Sequence, residues 1–291
     1  MFFRQFVDDD LGCASYLIGD RDAGLSVLVD PAFAIEQYVE AASSAGLKIE
    51  LVLETHTHAD HVSGHGRLAL DHGARVAVHP LAEPDFPFEP LEDDAELGLG
   101  ALRIRVVHTP GHRPEHCAFL VSDAGRPDAQ PLLLTGDSLF VGSVGRPDLA
   151  VEPREGAVAL FSSLRRLLEE PDGAAVYPGH VAGSLCGAGL STRPSSTIGE
   201  ERETNPALAL GSLDAFVAES IGSAGIRPPH VARVVGLNRG PFLAAPPPLV
   251  PLADAHGATV LDVRPAATFA AGEQRVQLVE RDGLEPRRRL R

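Results

Sequence analysis

Residues 49–65 read IELVLETHTHADHVSGH, an apolar run followed by four histidines (His56, His58, His61, His65) and Asp60. A continuous apolar run of this kind is the mark of a strand buried on both faces. It delivers His56 at its C-terminal end, where strand-to-loop junctions commonly carry function. A single histidine is more often a structural hydrogen-bonder. Four of them with an aspartate, directly after a buried strand, can share one small volume, and neutral imidazole with carboxylate suits zinc, iron or manganese. The fold must therefore bury this strand and bring further ligands to its end. Three later strands, in LRIRVVHTPGH, PLLLTGDSLF and AAVYPGH, end near His112, Asp137 and His180. Each of these lies beside a glycine, which lets backbone pass close to a bound ion or ligand.

Around these points the chain alternates short strands with helices. YLIG and LSVLVDP form a hairpin turned by DRDAG, because Asp and Gly favour turns. An amphipathic helix is expected over 33–45, ending at Gly46, with others at about 155–170 and about 206–222. The pattern predicts an α+β domain with two sheets sandwiched between helices. It covers residues 1–225 as a metal-binding catalytic domain. A Pro/Gly-rich linker follows over 226–251. Residues 252–291, with one strand, a turn and the start of a helix, are too few for an independent core.

The formal charge of −15 argues against a nucleic acid or an anionic membrane as partner. No window has the ~18 apolar residues of a membrane span, and MFFRQFVDDDLG lacks the apolar core of a signal peptide. A cytoplasmic protein is expected. Cys13, Cys117 and Cys186 form no C-x-x-C pair and no disulfide framework, which fits a reducing compartment. Cys13 and Cys117 lie in strand-like sequence and are expected in the core. Cys186 sits between glycines six residues past His180, where a thiol can line a substrate channel.

His56, His58, Asp60 and His61 match the H-x-H-x-D-H signature of the metallo-β-lactamase superfamily, and His112, Asp137 and His180 fall at its later ligand stations in the usual order. The resemblance spans about residues 10–220 and implies an αβ/βα sandwich, two mixed β-sheets flanked by helices, with the metal at one edge. The longer strings ETHTHADHVSG, TPGHRPEHCAFLV, GDSLFVGSVGRPDL and YPGHVAGSLCGAGLSTRPSSTIGEERETNPAL resemble persulfide dioxygenases, particularly those fused to a rhodanese domain. TVLDVRPAATFAAG looks like the opening of such a rhodanese module. No cysteine follows Cys186, so 252–291 reads as a truncated rhodanese-like fragment without its catalytic cysteine. The sequence also departs from the family, which usually has Thr at Arg113, Asp at Ser143 and an aromatic near Glu200.

The resemblance implies one of two chemistries on the same ligands. In the hydrolase arrangement, of the glyoxalase II type, His56, His58 and His112 hold one Zn²⁺. Asp60, His61 and His180 then hold a second, Asp137 bridges them, and the substrate is a thioester. In the dioxygenase arrangement, His56, His112 and Asp137 hold one Fe(II), with His58, Asp60, His61 and His180 in support. The substrates are then O₂ and a low-molecular-weight thiol persulfide such as glutathione persulfide, giving sulfite and thiol. The strings around Arg146 and Cys186 favour the dioxygenase. Asp60, Arg146 and Cys186 are the expected catalytic residues. Arg146, and less so Arg193, are candidates to pair with an anionic substrate. Dimers are common among such relatives, so a homodimer is one option.

Overall fold

The computed structural model describes residues 1–8, 11–181, 191–222 and 230–246, together with the strands at 259–261 and 277–279. In the first sheet the strands lie in chain order: β1 (Phe2–Val7), β2 (Ala14–Asp20), β3 (Leu25–Val29), β4 (Lys48–Leu53), β5 (Arg75–Val78) and β6 (Glu89–Pro90). β1 to β3 are antiparallel, and β3 to β6 run parallel. The second sheet uses β7 (Glu96–Leu99), β8 (Leu102–His108), β9 (Cys117–Asp123), β10 (Leu132–Gly136), β13 (Ala175–Pro178) and β14 (Ser196–Thr197), in the order β14-β13-β10-β9-β8-β7. A short hairpin, β11 (Leu139–Phe140) with β12 (Ser143–Val144), follows β10. Both sheets are mixed, as expected.

Side-chain alternation explains the layering. Successive residues of a strand point to opposite faces. Tyr16 and Ile18 of β2, Val27 and Val29 of β3, and Leu51 and Leu53 of β4 accordingly face inward. They meet Ile104 and Val106 of β8 and Phe119 and Val121 of β9 in one core between the sheets. The alternate residues Leu17, Leu28 and Val52 face outward and pack against α1 (Glu36–Ser44) and α2 (His65–His72). On the other side Val107, Ala118, Leu133 and Val176 meet α3 (Pro153–Leu167), α4 (Ile198–Thr204) and α5 (Leu213–Gly222). The result is four layers, helix, sheet, sheet, helix. Each fully buried Leu, Ile or Phe in them stabilises the fold by about 1.5–3 kcal/mol relative to exposure.

The parallel strands decide where chemistry can occur. β4 in one sheet, and β10 and β13 in the other, end at the same edge of the sandwich, and they release the segments bearing His56, Asp137 and His180. The open ends of parallel strands are where α/β folds characteristically take ligands.

Two expectations need revision. Within the stretch read as linker, Val231–Arg239 forms a further helix, α6, and Met1–Pro246 forms one compact unit. The Pro/Gly texture concealed a helix seated through its buried residues Val231 and Asn238 rather than a free connector. The helix expected over 206–222 begins only at Leu213, since turns occupy the residues after Pro206. The second unit, Pro247–Arg291, contains the antiparallel pair β15 (Thr259–Leu261) and β16 (Gln277–Val279). The rest of the fragment read as rhodanese-like lies outside the described residues. Among the described residues no helix is long and apolar enough to cross a membrane.

The loop to His112 turns at Gly111, whose φ is +147°. A Cβ there would lie 2.5 Å from the Cα and Cβ of Leu160 on α3. Gly111→Ala is expected to cost about 2 kcal/mol or more through strain and overpacking. A lower urea midpoint at unchanged slope would register it, and a midpoint equal to wild type would refute this account of the turn.

Candidate metal centre

His56, His112 and Asp137, all buried, each bring one donor atom to within 4.8 Å of the others. Asp137 Oδ2 lies 3.5 Å from His112 Nε2 and 4.0 Å from His56 Nε2. Among the described residues it has no hydrogen-bond partner, and burying such an oxygen without one is costly. A cation held by the three groups removes that cost, so the donor set fits a metal ion.

The tautomers of both histidines follow from their other nitrogens. His112 Nδ1 donates to the Arg146 carbonyl oxygen at 3.0 Å. His56 Nδ1 lies 2.9 Å from Thr55 Oγ1, whose own proton goes to Asp30 Oδ2. In each ring the proton sits on Nδ1 and the Nε2 lone pair is left for a metal, the usual outer-contact arrangement of a metal-binding histidine. Burial, then the positive charges of His58 and Arg113, hold His56 well below the ordinary histidine range. Burial lowers His112 as well, against the pull of Asp137. Neutral imidazole is the metal-binding form.

The remaining signature residues face other partners. His58 Nε2 lies 3.2 Å from Asp30 Oδ1 and 3.1 Å from Glu54 Oε2, so its donor atom groups with those carboxylates. Burial opposes a charge on His58, and the two carboxylates outweigh it and raise the imidazolium well above its usual range. Among the described residues its Nδ1 is buried without a hydrogen-bond partner. His180 spans two carboxylates, with Nδ1 2.8 Å from Asp137 Oδ1 and Nε2 2.7 Å from Asp60 Oδ2. Asp60 and His61 group with Cys13, whose thiol is 3.1 Å from Asp60 Oδ2 and 3.3 Å from His180 Nε2.

Several of these partners were not anticipated. Cys13 was expected in the core and stands at the site, its thiol pushed up to about 12 by burial. Cys117, by contrast, lies in the core between the sheets. His116 accepts the Asp137 backbone N–H at Nε2 (2.9 Å), and burial holds it neutral at about 3. That contact aims the Asp137 segment, and the quoted string TPGHRPEHCAFLV contained the residue without marking it. Asp30 and Glu54 carry no motif. Their only sequence signal is a carboxylate at the C-terminal end of an apolar strand.

The superfamily's sequence profile, described as the metallo-β-lactamase superfamily, matches residues 8–180. The chain belongs to the metallo-β-lactamase superfamily. It is 28% identical over 221 residues to the mitochondrial persulfide dioxygenase ETHE1 of Bos taurus, covering 75% of this chain and 79% of that protein. The solved structure of a metallo-β-lactamase from Staphylococcus aureus overlays with a TM-score of 0.79 at 33% identity, covering 86% of this chain and 75% of the other. ETHE1 from Myxococcus xanthus overlays with a TM-score of 0.72 at 30% identity, covering 82% of this chain and 98% of the other.

This member's departures from the persulfide dioxygenase pattern can now be placed. Arg113 is buried and donates from Nε to Glu115 Oε1 at 2.6 Å. That oxygen also accepts from Thr57 N at 3.3 Å, so the pair ties the His112 loop to the His56 loop. The Ser143 carbonyl oxygen takes a hydrogen bond from Asn205. Glu200 is paired with Arg193 at the surface, which engages the weaker of the two arginine candidates. The Arg146 guanidinium grips Asp148 through Nε (2.7 Å) and Nη2 (2.6 Å), while its carbonyl orients His112. Cys186 lies outside the described residues. His65, the last histidine of the opening stretch, is buried with its Nδ1 2.9 Å from Glu54 Oε1.

Asp30 accepts from Thr55 N and Thr55 Oγ1, both at 2.7 Å, and faces His58. Asp30→Asn removes one member of a buried ion pair and is expected to cost about 3 kcal/mol. Chemical denaturation of the metal-free protein measures it, and a loss below about 1 kcal/mol would show that the carboxylate's charge is dispensable.

Proposed function

We propose that the protein is a persulfide dioxygenase that uses one Fe(II) at His56, His112 and Asp137. It converts a low-molecular-weight thiol persulfide such as glutathione persulfide to thiol and sulfite: RSSH + O₂ + H₂O → RSH + SO₃²⁻ + 2H⁺. The observation that carries this reading is the convergence of two neutral imidazoles with a carboxylate oxygen that has no hydrogen-bond partner among the described residues, in a buried site. Two histidines and one carboxylate on one face of an iron leave coordination positions open for O₂ and a sulfur ligand. The similarity to proteins named persulfide dioxygenase ETHE1 supports the same choice.

The chain's own residues perform four tasks on this reading. Thr55 and the Arg146 carbonyl keep both donor nitrogens unprotonated and aimed. His116 and His180 fix Asp137 from its backbone and from Oδ1. The hydrogen-bonded series Asp137–His180–Asp60 can hold or move a proton between the site and the partly exposed Asp60. Arg146, partly compensated by Asp148, places positive charge beside the His112 loop for an anionic substrate.

Protein purified without oxygen is expected to carry about one iron per chain, the count that a single facial site accommodates. It should consume O₂ and release sulfite when given glutathione persulfide, and His112→Ala should abolish both. Two bound zinc ions with oxygen-independent turnover of S-lactoylglutathione would overturn the reading in favour of a glyoxalase II type hydrolase.

A further inference from the structure

Helix α6 brings Asn238 against the loop that carries the signature residues. Its Nδ2 donates to the carbonyl oxygens of His58 and His61, both at 2.9 Å, and its Oδ1 accepts from Ser63 N at 2.9 Å. Two carbonyls on one side and an N–H on the other fix the orientation of the amide, since only the NH₂ can face both acceptors. Asn238 is 5% exposed, and these bonds span 175 to 180 residues of sequence. In a buried setting each lost partner leaves a backbone polar group unpaired, which disfavours the native shape of the turn.

The contact is part of a wider seating. Asp85 N donates to the Arg239 carbonyl oxygen at 2.6 Å. The ring of Phe242 stacks on Phe86 at 4.7 Å and lies 5.9 Å from His65. Gly66 permits this approach, because a Cβ there would lie 2.8 Å from Leu243 N. The whole segment lies beyond residue 180, where the match to the superfamily profile ends.

We propose that Asn238 is a positioning residue for the metal centre, locking the His58–Ser63 turn into the shape that supports the bound ion. The inference rests on the proposed metal site but depends on the turn rather than on the reaction. Removing the lock lets the turn sample other shapes, and the support that His58, Asp60 and His61 give the centre is lost intermittently. Loss of such outer contacts commonly weakens metal binding about 10–100-fold.

The test uses the full chain loaded anaerobically with Fe(II), and separately with Zn(II), and follows release to an excess chelator. Asn238→Ala and Asn238→Asp are both expected to release metal about 10–100-fold faster than wild type. Aspartate keeps the acceptor for Ser63 N but cannot donate to the two carbonyls. Hydrogen exchange in the metal-free protein should therefore show the Ser63 amide unprotected in Asn238→Ala and protected in Asn238→Asp. Val231→Ala, a buried residue of the same helix with no polar side-chain atom, is expected to lower the melting temperature and leave release unchanged. Wild-type release rates in both Asn238 variants, or equal acceleration by Val231→Ala, would overturn the proposal. Should Asn238→Ala not fold, Asn238→Asp decides against the same control. A wild-type chain that retains neither metal counts against the proposed function, and the Ser63 exchange then decides the lock alone.

Discussion

The carboxylate of Asp30 is the point on which the metal edge hangs. It stands at the end of β3, with φ of 49°, and both of its oxygens are used by the residues that follow β4. Through Thr55 N it binds the backbone where the strand becomes a loop. Through Thr55 Oγ1 it consumes the proton that would otherwise compete for His56, and so forces the ring proton onto Nδ1. Through Oδ1 it faces His58. One buried anion thus sets the start of the loop, the tautomer of one histidine and the partner of another. Its burial is costly and is offset only because every nearby donor converges on it.

A second dependence runs through the carboxylates on either side of His180. Asp137 must remain an anion to hold a cation; burial would protonate it, and His180 keeps it ionised, at about 2. Asp60 is likewise held well below its usual range by His61 and His180 despite burial. The alternation of acid, imidazole and acid makes each group's charge state a condition of its neighbour's. These ionisations are properties of the cluster rather than of separate residues.

The four layers were legible because strands buried on both faces leave long apolar runs, and IELVL is one. Helix α3 announced itself by its spacing and Gly46 by its stop, although α1 starts at Glu36 rather than at 33. His56 was legible because H-x-H-x-D-H concentrates chemistry in six positions, and His112 and Asp137 because each follows a strand and sits beside a glycine. The partners of those donors were not legible, since each comes from a distant segment with no local pattern. Cys13 resembled core because it adjoins a strand, and the bridge between Cys13 and His180 brings it to the site. Asn238 was hidden because Pro and Gly on both sides of it suggested a linker. The signal that could have found its helix was Val231, Val234 and Val235 at helical spacing, following Pro228 and Pro229 and ending before Gly240.

The placement of the donors also has a mechanical meaning. His56 hangs from the first sheet, while His112 and Asp137 hang from the second, and the core between the sheets joins them. An ion gripped by all three would act as a rivet through the seam of the sandwich. Slippage of one sheet over the other by even an ångström would open the site without breaking a single strand pairing. The seam residues, Tyr16, Ile104 and Phe119 among them, would then be part of the ion's holder, and their fit would be under the same demand as that of His56, His112 and Asp137.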